Sequence, residues 1–147
     1  MRDLRLEKEV QWLLEEKYQG KITKKAMKDL ERLKRREHVD YVIGFVEFAG
    51  CIIDLSFGPL IPRPETEYWV EKAVEDIKSK IRDAKHKIRI LDLFAGSGCI
   101  GVALLKHIPQ ARVDFGEQEK RLLLQIRLNA KKNDIEKTRY RIIQTNN

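Results

Sequence analysis

Few residues of the kinds that build disulfide frameworks or metal centres occur in this sequence. Its 147 residues include two cysteines, Cys51 and Cys99, which form no CxxC motif. This excludes a disulfide framework and a structural zinc site. The histidines show no ligand spacing, because His38, His86 and His107 lie far apart in the sequence, so no metal is predicted. We predict that both cysteines are small buried thiols.

Long apolar runs are also missing. The longest, Tyr41 to Ile53, is interrupted by Glu47 and falls short of the roughly 18 to 20 apolar residues that a membrane span needs. The first residues alternate in charge and no apolar segment follows them, so we expect no secretory signal peptide. A cytoplasmic protein without a membrane-spanning segment is predicted.

Charged residues are plentiful. Lys and Arg number 30 against 23 Asp and Glu, which gives a formal net charge of +7, and the excess lies in residues 1–40 and 88–147. Such an excess is usually a solvated surface, although it also suits a partner that is nucleic acid or is bound to nucleic acid. The charge by itself does not decide between the two.

Residues 1–40 predict an N-terminal helical unit. Apolar residues at three- and four-residue steps predict a helix over 4–18, and Thr23 is typical of the N-cap of a second helix. From residue 41 the pattern changes to YVIGFVEF, then AG, then CIIDLSFG. This pattern predicts two strands in a β-hairpin whose turn is Ala49 and Gly50, with residues 41–62 as a connector.

The remaining residues, 63–147, form the third predicted region. A helix is expected from about 65 to 82, because Pro64 and the acidic residues after it are typical of a first helical turn. Strands are then predicted at 88–93, 112–115 and 140–143, with helices at 99–106 and 119–132. This βαβαβ order is the first half of a doubly wound parallel sheet, so the fold class is α/β.

The motif that carries chemistry is IRILDLFAGSGCIG, residues 88–101. Gly96 and Gly98 allow a tight turn that a ligand can approach closely, and the free N–H groups of the helix that follows favour polar or anionic ligand groups. Glu117, at the end of the next strand, could accept hydrogen bonds from a ribose diol.

Three interpretations of this motif remain open. Asp92 within the strand favours an S-adenosylmethionine site, whereas Gly96, Gly98 and Gly101 also satisfy the GxGxxG pattern of a dinucleotide site. A plain glycine turn is the third interpretation. A phosphate-binding P-loop is excluded, since no GxxxxGK[ST] occurs.

The combination of YVIG, IPRPETEYWVE and ILDLFAGSGCIG resembles the release-factor glutamine N5-methyltransferase family, also called HemK or PrmC. The resemblance implies substrate-recognition helices, a β-hairpin, and a Rossmann-like S-adenosylmethionine-dependent methyltransferase domain of which the chain holds the first half. The implied enzyme is a protein-(glutamine-N5) methyltransferase, which acts on the GGQ glutamine of class I peptide chain release factors in translation termination.

The resemblance also assigns the site. It implies that the cofactor contacts the loop residues and that Glu117 holds its ribose hydroxyls. The loop residues are Phe94, Ala95, Gly96, Ser97 and Gly98. The segment from Arg63 to Glu67 is a family marker rather than a site.

One family signature is not present. Members of the family hold the substrate amide with Asn-Pro-Pro-Tyr after the fourth strand, and no such tetrapeptide occurs among the 147 residues. No catalytic residue is therefore assigned, and we expect a C-terminally truncated, inactive form. The strand 88–93 would then be an exposed apolar edge, which favours self-association.

Release factors are the expected partner, with no membrane and with nucleic acid only indirectly. One alternative is a methyltransferase acting on amino groups of nucleic acid, which transfer of labelled methyl to nucleic acid would reveal. The other is a non-catalytic module that binds a release factor or RNA, and its binding would be unchanged by S-adenosylmethionine. Its docking residues would be Lys24, Lys25, Lys34, Arg35 and Arg36.

Overall fold

The computed structural model describes residues 3–81 and 87–146. They belong to two compact units, residues 1–45 and 46–147. His86 and most of the charged segment before the first parallel strand lie outside the described residues. Within the described ranges, no helix is long and apolar enough to cross a membrane.

The first unit consists of three helices. They are α1 Leu4–Tyr18, α2 Lys24–Lys34 and α3 Val39–Ile43. The expected N-cap of α2 is confirmed, because the Thr23 hydroxyl accepts a hydrogen bond from the Ala26 N–H at 3.1 Å. The core of this unit contains Leu13, Leu33, Val39, Val42 and Ile43.

The helix α3 corrects one expectation. The run from Tyr41 to Ile43 was expected to begin the first hairpin strand, yet it is helical and ends at Gly44, where φ is 97°. Val42 and Ile43 are buried in the core of the three helices. Their β-branched side chains favour a strand only weakly, and burial on a helical face outweighs that preference.

The hairpin itself is confirmed. It consists of β1 Phe45–Phe48 and β2 Cys51–Asp54, and its turn residues Ala49 and Gly50 have φ values of 46° and 72°. Positive φ at both central residues is what a two-residue hairpin turn of type I′ requires.

The helix α4 spans Pro64–Lys80 with proline in its first turn, as expected. Its Glu67 carboxylate accepts a hydrogen bond from the Ala49 N–H at 2.6 Å. His107 contacts the carbonyl of the same residue, with 2.6 Å between Nε2 and the oxygen. Both backbone polar groups of Ala49, its N–H and its carbonyl, therefore have side-chain partners outside the hairpin turn.

The predicted βαβαβ order is confirmed. The elements are β3 Ile88–Leu93, α5 Cys99–His107, β4 Ala111–Glu117, α6 Lys120–Lys132, a 3-10 turn Lys137–Arg139, and β5 Tyr140–Gln144. The strands form a parallel sheet in the order β3-β4-β5. Along β4, Val113 and Phe115 are buried whereas Arg112 is exposed, because successive side chains point to opposite faces.

Candidate cofactor-binding site

The glycine loop, residues 94–98, lies between β3 and α5 at the carboxyl end of β3. The neighbouring strand β4 ends at Glu117, and the two strands are in register through Leu93 and Gly116. The loop and Glu117 therefore meet at the same edge of the sheet. This edge is where ligands bind in open parallel sheets.

Glu117 is buried and contacts the glycine loop directly. Its Oε2 accepts a hydrogen bond from the Gly96 N–H at 2.8 Å. Its Oε1 accepts from the N–H groups of Gln118 and Glu119 at 2.7 and 3.0 Å. A carboxylate offers about four acceptor positions, so Oε2 can accept one more bond, such as one from a ligand hydroxyl.

The loop has an unusual backbone. Phe94, Gly96 and Gly98 all have left-handed φ values, of 54°, 56° and 75°. For a non-glycine residue such a φ costs about 1 to 2 kcal/mol. Phe94 is 77% exposed. Two backbone hydrogen bonds hold the loop, from the Ala95 N–H to the Gly116 carbonyl at 3.1 Å and from the Gly98 N–H to the Ala95 carbonyl at 2.7 Å.

The glycines of the motif differ in what surrounds them. A Cβ on Gly96 would meet only the Phe94 carbonyl oxygen, at 3.9 Å, so this part of the loop is open to a ligand. A Cβ on Gly98 would lie 3.1 Å from Ile126. A Cβ on Gly101 would overlap the Phe115 ring. Gly101 therefore serves the close packing of α5 against β4, and Gly96 is the glycine that a ligand can approach.

Asp92 lies on β3, and its carboxyl contacts the first turn of α5. Its Oδ2 accepts a hydrogen bond from the Gly101 N–H at 3.0 Å. Burial raises the pKa of this carboxyl to about 6, although the Gly101 bond opposes the rise and the charge of Glu117 adds to it. The Cys99 N–H is likewise bonded, to the Ser97 hydroxyl at 3.3 Å.

These bonds correct the expectation of free helix N–H groups. Two of the groups at the start of α5 already have partners, and one partner is the Asp92 carboxyl. A pyrophosphate at this helix end would be repelled by that carboxylate. The geometry therefore disfavours the dinucleotide interpretation relative to a ligand without phosphate groups.

Asn129 on α6 is a loop contact that the sequence analysis missed. Its Nδ2 donates a hydrogen bond to the Ser97 carbonyl at 2.8 Å. It lies between Gln125 and Asn133 at four-residue spacing, and all three amides are buried. Polar residues on the inward face of an amphipathic helix were the available signal, since buried amides need partners.

The remaining expectations concern the two cysteines, the segment from Arg63 to Glu67, and metal ligands. Cys51 and Cys99 are free and buried, as predicted, and burial raises the pKa of the Cys99 thiol to about 11. Arg63 and Glu65 are exposed, and Glu67 contacts the hairpin turn. Across residues 3–81 and 87–146, no three His, Cys, Asp or Glu side chains are grouped as metal ligands.

Comparison with known proteins identifies relatives of this chain. The family "Methyltransferase small domain" matches residues 73–147. The chain is 36% identical over 107 residues to the release factor glutamine methyltransferase of Bacteroides thetaiotaomicron, a match that covers 73% of the chain and 36% of that protein. It is 41% identical over 87 residues to the enzyme of the same description from Geobacter sulfurreducens, covering 59% of the chain and 28% of that protein.

The resemblance expected from the sequence is thereby confirmed, and the matched part of the chain spans about a third of the length of these curated relatives. Among solved structures, M. jannaschii TYW2 in complex with AdoMet matches with a TM-score of 0.53 at 16% identity. That match covers 69% of the chain and 42% of TYW2. It supports the fold.

Proposed function

This chain belongs to the methyltransferase small domain family, and from that premise we propose that it binds S-adenosylmethionine and serves the N5-methylation of the GGQ glutamine of class I peptide chain release factors. The observation that carries the cofactor assignment is the hydrogen bond between Gly96 and Glu117. It joins an open glycine turn to a buried carboxylate that can still accept a bond.

The proposed cofactor supplies an electrophilic methyl group on its sulfonium sulfur. Glu117 would accept a ribose hydroxyl at Oε2, and the accessible backbone at Gly96 would let the cofactor approach the loop. Phe94 would add an exposed aromatic surface, while the buried Ala95, Ser97 and Gly98 keep the loop in shape. The N-terminal helices, residues 1–40, are proposed to recognise the substrate, with the hairpin as connector.

The substrate assignment rests on the relatives, which are named for release factor glutamine methylation. The 147 residues do not include Asn-Pro-Pro-Tyr, which the resemblance assigns to holding the acceptor amide. Cofactor binding and methyl transfer therefore need separate measurements. We expect that this chain by itself binds cofactor and transfers no methyl group.

Calorimetric titration with S-adenosylhomocysteine tests the binding. The variant Glu117→Gln removes the carboxylate charge at unchanged size, and a hydrogen bond to a charged group is worth roughly 1.5 to 3 kcal/mol, so affinity should fall roughly tenfold to a hundredfold. The matched control is Glu119→Gln, an exposed neighbour paired with Arg121, which should bind as the wild type does. Equal affinity of all three proteins would contradict the assigned role of Glu117.

Transfer of a labelled methyl group tests the substrate. The acceptors are a class I release factor, its variant with Ala in place of the GGQ glutamine, and RNA. When Asn-Pro-Pro-Tyr is supplied by fusion to the C-terminal part of a relative, label should appear in the release factor but not in its variant. Label in RNA would contradict the proposal and favour the nucleic-acid alternative.

A further inference from the structure

The helix α6 and its C-cap residue present three side-chain amides to the hairpin. They belong to Gln125, Asn129 and Asn133, which follow one another at intervals of four residues and so lie on one helix face. Gln125 and Asn129 have no exposed surface, and Asn133 is 5% exposed. Burying amide groups is unfavourable unless each finds a hydrogen-bond partner.

The partners are backbone groups in and just after β2. Asn133 accepts from the Ile52 N–H at 2.9 Å and donates to the Ile52 carbonyl at 2.8 Å. Asn129 does the same at Asp54, at 2.8 and 3.3 Å. Gln125 accepts from the Phe57 N–H at 2.9 Å. The amides thus replace the bonds that a neighbouring strand would make.

Asn129 differs from Asn133 in one respect. Its Nδ2 donates a second hydrogen bond, at 2.8 Å, to the carbonyl of Ser97 in the glycine loop. Asn133 uses its second Nδ2 bond on the Asn129 carbonyl within α6, at 2.9 Å. Each side chain therefore employs both of its donors, but Asn129 alone of the two connects the strand to the loop.

We propose that Asn129 is a positioning residue for the cofactor, which couples the hairpin strand β2 to the glycine loop through the Ser97 carbonyl. The proposal rests on the proposed cofactor site. The bond to Ser97 orients the peptide unit that also contains the Gly98 N–H, the group that closes the loop onto the Ala95 carbonyl. A change at Asn129 therefore reaches the loop without any contact with the cofactor itself.

Because coupling between two sites is reciprocal, cofactor binding should stabilise β2 as much as an ordered β2 strengthens cofactor binding. Asn129→Asp preserves size and the acceptor for the Asp54 N–H but removes both donors. Asn133→Asp makes the identical change one helical turn further on, away from the loop. We expect both variants to lose stability to a similar degree.

Cofactor affinity should differ between the two variants. Titration of the full chain with S-adenosylhomocysteine should give a Kd about tenfold larger for Asn129→Asp than for Asn133→Asp. In the ¹⁵N–¹H spectrum without ligand, the Gly98 cross-peak should move in Asn129→Asp and stay in place in Asn133→Asp. A role in stability alone would leave that peak unmoved in both variants.

Equal affinities of the two variants, or an unmoved Gly98 peak in Asn129→Asp, would overturn the inference while the proposed function stands. A wild-type chain without affinity for S-adenosylhomocysteine would overturn the proposed function and the cofactor role of Asn129 together. The Gly98 peak would still report whether the hydrogen bond from Asn129 determines the backbone conformation of the glycine loop. If Asp at position 129 prevents folding, the uncharged pair Asn129→Ala and Asn133→Ala supports the same comparison.

Discussion

At the scale of single residues, Asp92 links the site to the pH dependence of stability. Its folded-state pKa of about 6 lies above the ordinary 3.8 because the carboxyl is buried. Between these values the folded protein binds more protons than the unfolded one, so the contribution of Asp92 to stability decreases as pH rises from about 4 to 6 and is constant above that.

We expect Asp92→Asn to remove this dependence. Asparagine retains an oxygen that can accept from the Gly101 N–H, but it does not ionise. The free energy of unfolding of the variant, relative to wild type, should therefore rise by roughly 2 to 3 kcal/mol between pH 4 and 7. Urea unfolding at several pH values checks this.

Asp114→Asn is the control for that measurement. Hydrogen bonding to Arg141 lowers the pKa of the Asp114 carboxyl, so its contribution is present at neutral pH and is lost as pH falls through the lowered pKa. The stability of Asp114→Asn relative to wild type should therefore stay nearly constant between pH 4 and 7 and rise only as pH falls below about 4. A rise between pH 4 and 7 in this variant as well would contradict the assignment at Asp92.

Gly101 provides a second prediction at this scale. A Cβ here would lie 2.7 Å from Phe115 Cζ and 3.0 Å from Asp92 Oδ2. Gly101→Ala should therefore lower the free energy of unfolding by about 1 to 3 kcal/mol or more, as overpacking does. The double variant with Phe115→Leu should recover part of this loss, whereas additive effects in urea unfolding would contradict direct contact between the two positions.

At the scale of elements, Asp29 joins the first two helices. Its Oδ2 accepts from Lys17 Nζ at 2.8 Å and from the Tyr18 hydroxyl at 2.6 Å, and its Oδ1 accepts from Arg32 at 3.1 Å. Burial opposes ionisation, but these bonds together lower the pKa of the carboxyl. Lys17 also donates to the Val42 carbonyl in α3 at 2.6 Å, so the network ties all three helices together.

We expect Asp29→Asn to destabilise the N-terminal unit by about 1.5 to 3 kcal/mol, since it removes a carboxylate that accepts hydrogen bonds from the charged groups of Lys17 and Arg32. The control on the same helix is Glu31→Gln. Its ion pair with Lys34 is exposed and contributes at most about 0.5 kcal/mol. Urea unfolding measures both, followed by the fluorescence of Trp12 with Trp69 replaced by Phe in every protein. Equal small losses would contradict a stabilising role for Asp29.

At the scale of the whole molecule, β3 is an edge strand of the parallel sheet that the described residues 87–146 form. Leu91 and Leu93 on it are 61% and 55% exposed. Parallel sheets are normally covered on both faces, and an exposed apolar edge pairs readily with another chain. We therefore predict that this chain self-associates through β3, which is also the expectation from the sequence.

Leu91→Lys should reduce that association, because a charged side chain opposes edge-to-edge pairing. Leu124→Lys, at an exposed leucine of α6 in the same unit, is the matched control and should associate as the wild type does. Sedimentation velocity over a range of concentrations measures the change. A wild-type chain that stays monomeric at all concentrations would contradict the prediction.

Much of the fold was predictable because its signals are local. Thr23 caps a helix through contacts three residues away, and the turn at Ala49 and Gly50 follows from the two apolar runs on either side of it. The alternation of apolar strands and amphipathic helices predicted the parallel order. At Val42 the prediction of a strand was wrong, because burial in the core of the three helices outweighed the local preference of a β-branched residue.

The sequence by itself determined the glycine turn, the α/β order and the family resemblance, since each depends on spacing along the chain. Only the tertiary structure decided which residues far apart in the sequence contact each other. It brought Gly96 to Glu117, placed Asp92 against the start of α5, and joined Asn129 to β2 and Ser97. The physical reason is that hydrogen bonds and desolvation depend on distance in space, and residues many positions apart acquire that distance only when the sheet and its helices pack.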